Sequence, residues 1–252
     1  MSDLENAKPS AAGSAQQPRT WDFMETLLVA LIADGAYLLT AGFALSVLLA
    51  MYGGTRTLSP AEFNAVWLEG RWQGTAVILG TPAAMTVLWV ATRMARRDFA
   101  EYLALNWPSG GEIVRALALM TIVLSLEMFV AQKVGPGGYQ PGSVLVVKGA
   151  AGMLALLVGT CIAAPILEEF VVRGFMFRGW SQSFLGPTGA ILLTSALWAM
   201  EHTQYDWYGR LNVFFGGLAL GHLRSSSNST WLTVIAHSAV NTFIFFISGP
   251  YV

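Results

Sequence analysis

The chain alternates between long apolar runs and short polar segments that are rich in glycine and proline. A helix needs about 20 apolar residues to cross the hydrocarbon core of a bilayer. Backbone polar groups must be satisfied inside the membrane, so these runs predict helices rather than open strands. We predict an all-α, polytopic transmembrane bundle with about seven spans, within a range of six to eight. The runs cover residues 27–52, 75–92, 113–131, about 148 to the glutamates at 168 and 169, 189–202, 211–223 and 231–247.

The composition agrees with a membrane protein. Of the 252 residues, 54% are hydrophobic and 12% are charged, whereas a typical soluble domain carries about 25% charged residues. The formal net charge of -1 provides no reason to expect nucleic-acid binding. The single cysteine, Cys161, excludes an internal disulfide and a thiolate metal cluster. We interpret the polar residues 1–20 as a disordered tail before the first span.

The distribution of basic residues predicts the orientation in the membrane. Arg93, Arg96, Arg97 and Arg115 belong to the segment between the second and third spans, which is the most basic connection in the chain. Cytoplasmic loops of membrane proteins carry an excess of Lys and Arg. We therefore predict that this segment and the N-terminus are cytoplasmic. The chain shows no internal repeat, which counts against a transporter built on inverted repeats.

Several ionisable residues interrupt the apolar runs, and a single one of them carries little information. A charge within a bilayer is costly, so such residues usually face the bundle interior. Asp34 and Glu127 each stand alone in a span, and His222 lies near the end of one. We interpret these three as structural or interfacial positions. Glu201, beside His202, either faces the lipid headgroups or tunes the neighbouring imidazole.

The stretch "APILEEFVVRGF" (164–175) places two glutamates and an arginine in apolar sequence. Glu169 and Arg173 are spaced i, i+4 with the acid before the base, the favourable order for an ion pair on a helix. Glu168 points about 100° away from Glu169 around the helix axis. We therefore assign Glu169 to the arginine and Glu168 to a cavity between the helices. We expect Pro165 to start or kink the segment that delivers Glu168.

Three residues of later spans fit the same cavity. Glu168 and His202 lie at nearly equal sequence distance from the turn near residues 185–187, so an antiparallel hairpin brings them to the same depth. His237 and Asn241 are spaced i, i+4 and therefore share one face of the seventh span. A buried polar network that only holds the helices together would produce each pair taken alone. The combination at compatible depths favours a reactive site.

These side chains suit two kinds of hydrolytic chemistry. A carboxylate in an apolar cavity becomes a usable general base for the attack of water on an amide, and an Asn amide can donate to the oxyanion. Alternatively, Glu168, His202 and His237 form the two-histidine, one-carboxylate set that binds zinc in many hydrolases. The residues alone leave both alternatives open, so no cofactor is certain and zinc stays a candidate.

Three short motifs resemble those of one family, the CAAX prenyl endopeptidases and bacteriocin-processing membrane proteases. "EEFVVRG" (168–174) looks like the EExxxR motif of that family, "WAMEH" (198–202) looks like its FxxxH motif, and "HSAVN" (237–241) looks like its HxxxN motif. The segment "DFAEYLALNWP" (98–108) is similar to the linker that precedes the family's core. Three motifs in the family's order, each on a predicted membrane helix, make the resemblance specific.

The resemblance covers roughly residues 98–247. The hydrophobic runs predict N-terminal transmembrane helices in residues 21–97, and the resemblance implies a catalytic helical core in residues 98–252. The implied activity is that of an intramembrane endopeptidase, which hydrolyses a peptide bond with water activated by glutamate and histidine. The implied partners are the lipid bilayer and a membrane-anchored substrate, either a prenylated CAAX-type protein or a bacteriocin-like peptide. We expect a prokaryotic cytoplasmic membrane and no nucleic-acid partner.

The resemblance also implies a role for each motif residue. Glu168 is the general base and His202 assists it, while His237 and Asn241 stabilise the oxyanion. The residues that hold the site are Glu169, Arg173 and Trp198. Trp198 stands where the family usually has phenylalanine, a change that conserves bulk. A metallopeptidase mechanism stays open, as do two other functions: a non-catalytic immunity or scaffold protein of the same fold, and a proton-coupled transporter.

Overall fold

The computed structural model describes residues 19–53, 59, 62, 69–134, 147 and 149–248. This described part is built from helices, which confirms the predicted all-α class. It contains α1 (Phe23–Gly53), α2 (Gly70–Met94), α3 (Phe99–Tyr102), α4 (Gly110–Val134), α5 (Gly149–Ser181), α6 (Gly186–Glu201), α7 (Trp207–Ser227) and α8 (Thr230–Ser248). The predicted disordered tail lies outside the described residues, apart from Arg19 and Thr20.

Five of these helices, α1, α2, α4, α5 and α8, are long and apolar enough to cross a membrane. The chain is therefore a polytopic helical membrane protein. The predicted spans 189–202 and 211–223 are helical as well, but neither is among the five. With 16 residues, α6 reaches about 24 Å, which is less than the hydrocarbon thickness of about 30 Å. α7 is longer, but Arg210, Asn212 and His222 make it more polar.

The outward surface of the spans is apolar. Leu39 and Phe43 on α1 and Val114 on α4 expose 77%, 73% and 67% of their surface. Soluble monomers rarely expose contiguous apolar surface of this extent, because it would contact water. In a bilayer the same side chains contact lipid chains without that cost, so the exposed surface agrees with the membrane assignment.

α2 and α5 approach each other at a pair of glycines. Gly74 of α2 lies against the backbone of Ala155, and Gly159 of α5 lies against Gly74. A Cβ atom at either glycine would overlap the facing backbone. Small residues allow membrane helices to pack this closely. The contact holds the first half of α5, which leads directly into the two glutamates.

The winding of α5 changes on both sides of the two glutamates. Gly159–Ala163 and Phe170–Met176 are π-helical, whereas Ala164–Glu169 between them is α-helical. Pro165 lies in the first turn of that α-helical segment, as expected for a residue that starts it. A π turn moves carbonyl groups out of the regular hydrogen-bond ladder, and such turns often occur at functional sites. The glutamates therefore lie on a short α-helical segment between two irregular ones.

The segment after α3 holds the turn between α7 and α8. Thr230 donates its backbone N–H to the Ala104 carbonyl at 2.9 Å and its hydroxyl to the Leu103 carbonyl at 2.5 Å. Asn106 donates through Nδ2 to the Asn228 carbonyl at 2.8 Å. These bonds position the start of α8 and therefore set the register of the helix that carries two of the predicted site residues.

Tyr102 of α3 links three parts of the bundle. Its side chain is fully buried, its hydroxyl accepts a hydrogen bond from the Trp21 N–H at 3.2 Å, and its ring stacks on Phe175 at 5.3 Å. Burial raises the pKa of Tyr102 to about 12, so the phenol stays protonated at neutral pH. The residue thereby connects the segment before α1 to α3 and α5.

Several arginines gather where α1 begins and where α2 and α5 end. Arg19 donates its N–H to the Ala95 carbonyl at 3.1 Å, which places the start of α1 beside the end of α2. Arg178 near the end of α5 pairs with Glu101 at 3.1 Å. We call this part of the molecule the basic end, and it carries Arg19, Arg93, Arg96, Arg97 and Arg178.

Candidate active site

A cavity of about 440 Å³ lies between α4, α5, α6, α7 and α8. All four residues that the sequence predicts to react line this cavity. α5 contributes Glu168, His202 directly follows the last residue of α6, and α8 contributes His237 and Asn241. Much of the remaining wall is apolar, so a bound peptide segment would be partly shielded from water.

Glu168 is held by a tryptophan. Nε1 of Trp198 donates to Oε2 of Glu168 at 2.6 Å. The Trp198 ring also packs edge-on against the imidazoles of His202 and His237, at centroid distances of 5.0 and 5.3 Å. From the sequence, this tryptophan is expected only to replace the bulk of phenylalanine. The structure adds a hydrogen bond to the predicted base that phenylalanine cannot make.

Glu169 belongs to a buried group of polar side chains that reaches the cavity wall at His237. Its Oε1 accepts a hydrogen bond from Nη1 of Arg173 at 2.9 Å and lies 2.9 Å from Nδ1 of His237. Glu169 is 0% exposed and Arg173 is 1% exposed. The pairing with Arg173 follows the predicted i, i+4 contact, whereas the contact with His237 was not predicted. We call these three residues the buried ion network.

Arg173 is enclosed on several sides. Its guanidinium lies 4.4 Å from the centroid of the Trp198 ring, and Nη2 donates to the Gly217 carbonyl at 3.4 Å. Its own carbonyl, in the second π-helical segment, accepts a hydrogen bond from Nε of Arg224 at 3.0 Å. Arg224 is itself buried and was not predicted as a site residue. Its position at the end of an apolar run says nothing about the direction of its side chain.

Hydrogen bonds assign the same tautomer to both cavity histidines. Nδ1 of His202 lies 2.7 Å from the Trp198 carbonyl oxygen, which can only accept, so Nδ1 carries the hydrogen. Nδ1 of His237 faces the Glu169 carboxylate, which as an ion also only accepts. In the neutral ring this tautomer leaves a lone pair on Nε2. Each Nε2 can therefore accept a proton, and it can donate a hydrogen bond only from a protonated ring.

Asn241 is anchored by the first π-helical segment. Its Nδ2 donates to the Thr160 carbonyl at 2.9 Å. In the π turn the Ala164 N–H donates to the Gly159 carbonyl, and Pro165, the next residue, has no N–H. The Thr160 carbonyl is therefore left for a side chain of another helix. An Asn amide carries two hydrogens and a carbonyl oxygen. One hydrogen and the oxygen thus stay available for a ligand in the cavity.

The residues considered for zinc do not form a metal site in this arrangement. Within the described ranges, no group of three His, Cys, Asp or Glu side chains is placed to hold a metal ion. Glu168, His202 and His237 line one cavity, and each makes one hydrogen bond within the protein, as metal-binding residues commonly do. Their side chains are nevertheless not grouped as the ligands of one metal ion, so the proposed reaction uses no metal.

The other intramembrane ionisable residues fall into two groups. Asp34, Glu201 and His222 are exposed and are not among the residues that line the cavity. Glu127 of α4 does line it. In the sequence this glutamate is a lone charge in an apolar run, so nothing there connects it with the motif residues. The structure places it in the same cavity as those residues.

Fold and site together define a polytopic membrane protein with a carboxylate-bearing cavity inside a helical bundle. Residues 150–243 match the family model described as type II CAAX prenyl endopeptidase Rce1-like. Residues 150–243 therefore form a domain of the Rce1-like type II CAAX prenyl endopeptidase family, whose members are intramembrane proteases. The matched segment runs from α5 into α8 and includes all three motifs. No curated protein and no solved structure matches the chain.

Proposed function

We propose that this protein is an intramembrane endopeptidase that hydrolyses a peptide bond of a membrane-anchored protein or peptide. The observation that carries the proposal is the position of Glu168 on the wall of a cavity that His202, His237 and Asn241 also line. A carboxylate, imidazoles and an amide donor are the groups that hydrolysis by activated water requires. Membership of a family of intramembrane proteases supports the same class of reaction.

In the proposed reaction, Glu168 takes a proton from a water molecule in the cavity, and the water oxygen bonds to the carbonyl carbon of the scissile amide. Nε2 of His202 accepts a hydrogen bond from that water and orients it. The tetrahedral intermediate then collapses and the C–N bond breaks. The proton held by Glu168 passes to the leaving nitrogen, so the products are a carboxylic acid and an amine.

Asn241 and His237 are the proposed oxyanion donors. Asn241 retains one amide hydrogen beyond the one it donates to Thr160. His237 can donate through Nε2 only from a protonated ring, and the Glu169 carboxylate 2.9 Å from Nδ1 fixes the orientation of the imidazole. Glu169 therefore acts through His237 as a positioning residue, and Arg173 keeps Glu169 in place.

We also propose that α6 and α7 lie within the membrane, which makes seven spans in all. Both helices contribute to the wall of the cavity, so they belong to the same layer as the five apolar spans. The basic end supports a cytoplasmic location for the N-terminus, because cytoplasmic segments are enriched in Lys and Arg. The division into residues 21–97 and 98–252 stays a prediction.

The proposal is tested with purified protein in detergent and with two sets of peptides that carry one transmembrane anchor, prenylated CAAX-type and unprenylated. The wild type and Glu168→Ala are compared, with and without a chelator, after thermal unfolding has shown that both are folded. We expect the wild type to cleave a defined bond, the variant to be inactive, and the chelator to have no effect.

Three results would contradict parts of the proposal. Unchanged cleavage by Glu168→Ala would exclude Glu168 as the base. Cleavage that is abolished by the chelator and restored by zinc would establish a metal mechanism instead. If the wild type cleaves neither peptide set, a non-catalytic immunity or scaffold protein of the same fold becomes the better interpretation.

A further inference from the structure

Glu127 lines the cavity but has no role in the proposed reaction. It is half-buried on α4, outside the segment matched by the family model. Its backbone carbonyl accepts a hydrogen bond from the Tyr208 hydroxyl at 3.4 Å. Its carboxylate has no hydrogen-bond or ion-pair partner among the described residues. A carboxylate that has lost part of its hydration without gaining a partner is unfavourable, most of all within a membrane.

The cavity wall itself offers no cation to this carboxylate. No Lys or Arg occurs among the described residues that line the cavity. Arg210 follows the lining residue Gly209, but its guanidinium donates to the carbonyls of Tyr205 at 3.1 Å and Thr203 at 3.4 Å. Among the described lining residues, the carboxylates and imidazoles are those of Glu127, Glu168, His202 and His237. An incoming peptide therefore meets two carboxylates and no lysine or arginine in the described part of the wall.

We propose that Glu127 is a specificity-determining residue that binds a Lys or Arg side chain of the substrate near the scissile bond. This inference rests on the proposed peptidase function. A substrate cation would supply the partner that the carboxylate lacks, and a charge-assisted hydrogen bond gains strength in an apolar cavity. The expected substrate therefore carries a basic residue close to the cleaved bond.

The distances of Glu127 and Glu168 from the basic end, measured along their helices, indicate where the basic residue of the substrate binds relative to the cleaved bond. Glu127 comes 17 residues after Gly110, the end of α4 next to the basic end, and is therefore about 26 Å along its helix. Glu168 comes 13 residues before Ser181, where α5 reaches the same end. Seven of these residues, Phe170–Met176, are π-helical and rise less per residue, so Glu168 lies less than about 20 Å along its helix. The difference is therefore at least about 6 Å, which corresponds to about two or three residues of extended peptide. The basic residue is thus expected within four residues of the cleaved bond.

The test uses single-anchor peptides that differ at one position only, which carries Lys, norleucine or Glu. That position is moved through the four residues on each side of the cleaved bond. At one position we expect the wild type to prefer Lys over norleucine by about tenfold in kcat/KM, the size of one charged hydrogen bond. Glu127→Gln is expected to reduce that preference to near one, whereas Glu127→Lys is expected to favour the Glu peptide.

Glu112→Gln is the matched control, because it makes the same change on the same helix at a residue that does not line the cavity. This variant is expected to keep the wild-type preference for Lys. A wild-type protein that cleaves the peptides without preferring Lys at any position would overturn the inference and leave the proposed function intact. An equal preference in the wild type and Glu127→Gln would overturn it as well.

A binding measurement separates the inference from catalysis. Fluorescence anisotropy of labelled Lys and norleucine peptides is recorded with Glu168→Ala and with the double variant Glu127→Gln/Glu168→Ala. Tighter binding of the Lys peptide to the single variant, lost in the double variant, would support the inference even if no peptide is cleaved. Equal affinity of the two peptides for Glu168→Ala would contradict it.

Discussion

The two adjacent glutamates of α5 lie in two different regions, the cavity and the buried ion network, with the Trp198 ring between them. Glu168 binds one protein donor and lines the cavity, whereas Glu169 is 0% exposed and contacts both Arg173 and His237. One step along a helix turns a side chain by about 100°. That rotation is enough to move a carboxylate from a site with permanent partners to one that is open to a ligand.

The contrast shows how a membrane protein can hold two neighbouring carboxylates for different purposes. A buried charge is tolerated when an opposite charge and hydrogen bonds compensate it. Glu169 has that compensation within the protein, so its charge contributes to the arrangement of the helices. Glu168 has an oxygen without a partner among the residues that the structure describes, and that oxygen is available to a water molecule.

The largest expected effect comes from replacing the two glutamates one at a time with glutamine. Glu168→Gln is expected to lower the cleavage rate about a thousandfold, because an amide cannot take the proton from water. Its amide oxygen still accepts from Trp198, so the melting temperature should change little. Initial rates and thermal unfolding in detergent provide the two readouts. Glu169→Gln is expected to lower the melting temperature more than Glu168→Gln does. A larger decrease for Glu168→Gln would contradict the assignment of Glu169 to the buried ion network and of Glu168 to the cavity.

The next largest effect is expected from Arg173→Met, which leaves Glu169 as an uncompensated buried charge. We expect a loss of about 3–5 kcal/mol in the free energy of unfolding. Combining it with Glu169→Gln removes that charge and keeps an acceptor for His237, so the double variant should recover part of the loss. Denaturant unfolding of both single variants and the double variant measures the coupling. If the losses in the free energy of unfolding of the two single variants simply add in the double variant, Glu169 and Arg173 are not energetically coupled.

A smaller effect is expected from Trp198→Phe, which keeps a ring between the two regions and removes the N–H that Glu168 accepts. We expect kcat/KM to fall about tenfold, the size of one hydrogen bond to a charged group. Trp198→Leu serves as the comparison, because it removes the aromatic ring over Arg173 as well and should also lower the melting temperature. Full activity of Trp198→Phe would show that the indole N–H does not matter.

The smallest effect is expected from Glu201→Gln. Glu201 is adjacent to His202 in sequence, but it is exposed and does not line the cavity. We expect a change of about twofold or less in kcat/KM, because Glu201 has no contact with the cavity in which the reaction is proposed to occur. A steady-state assay at fixed ionic strength is sufficient. A tenfold loss would mean that Glu201 tunes His202, and the reactive region would then extend beyond the cavity.

Much of the fold could be predicted because the length and polarity of a run are local properties of the sequence. Five predicted spans correspond to apolar helices, and the other two are helices that are too short or too polar to be identified by length and composition. The π-helical segments of α5 could not be predicted. Two carbonyls in these segments, at Thr160 and Arg173, accept hydrogen bonds from Asn241 and Arg224 of other helices.

The motif residues could be predicted because their spacing along a single helix is a local property of the sequence. Their contacts with residues of other helices could not be predicted in this way. The i, i+4 spacing of Glu169 and Arg173 predicts their ion pair, since both lie on one helix. The contact of Glu169 with His237 joins residues that are 68 positions apart. Glu127 belongs to a helix without any motif, so its place in the cavity wall depends on how α4 packs against α5 and α8.

The sequence by itself determined a polytopic helical membrane protein and the three motifs of an intramembrane protease family, because helix length, hydrophobicity and spacing along one helix follow from covalent order. Only the tertiary structure decided which side chains meet. The Trp198 hydrogen bond to Glu168 spans 30 residues, and the cavity draws on five helices. Such contacts depend on the packing of whole helices, since a small rotation or shift of any one helix would separate them.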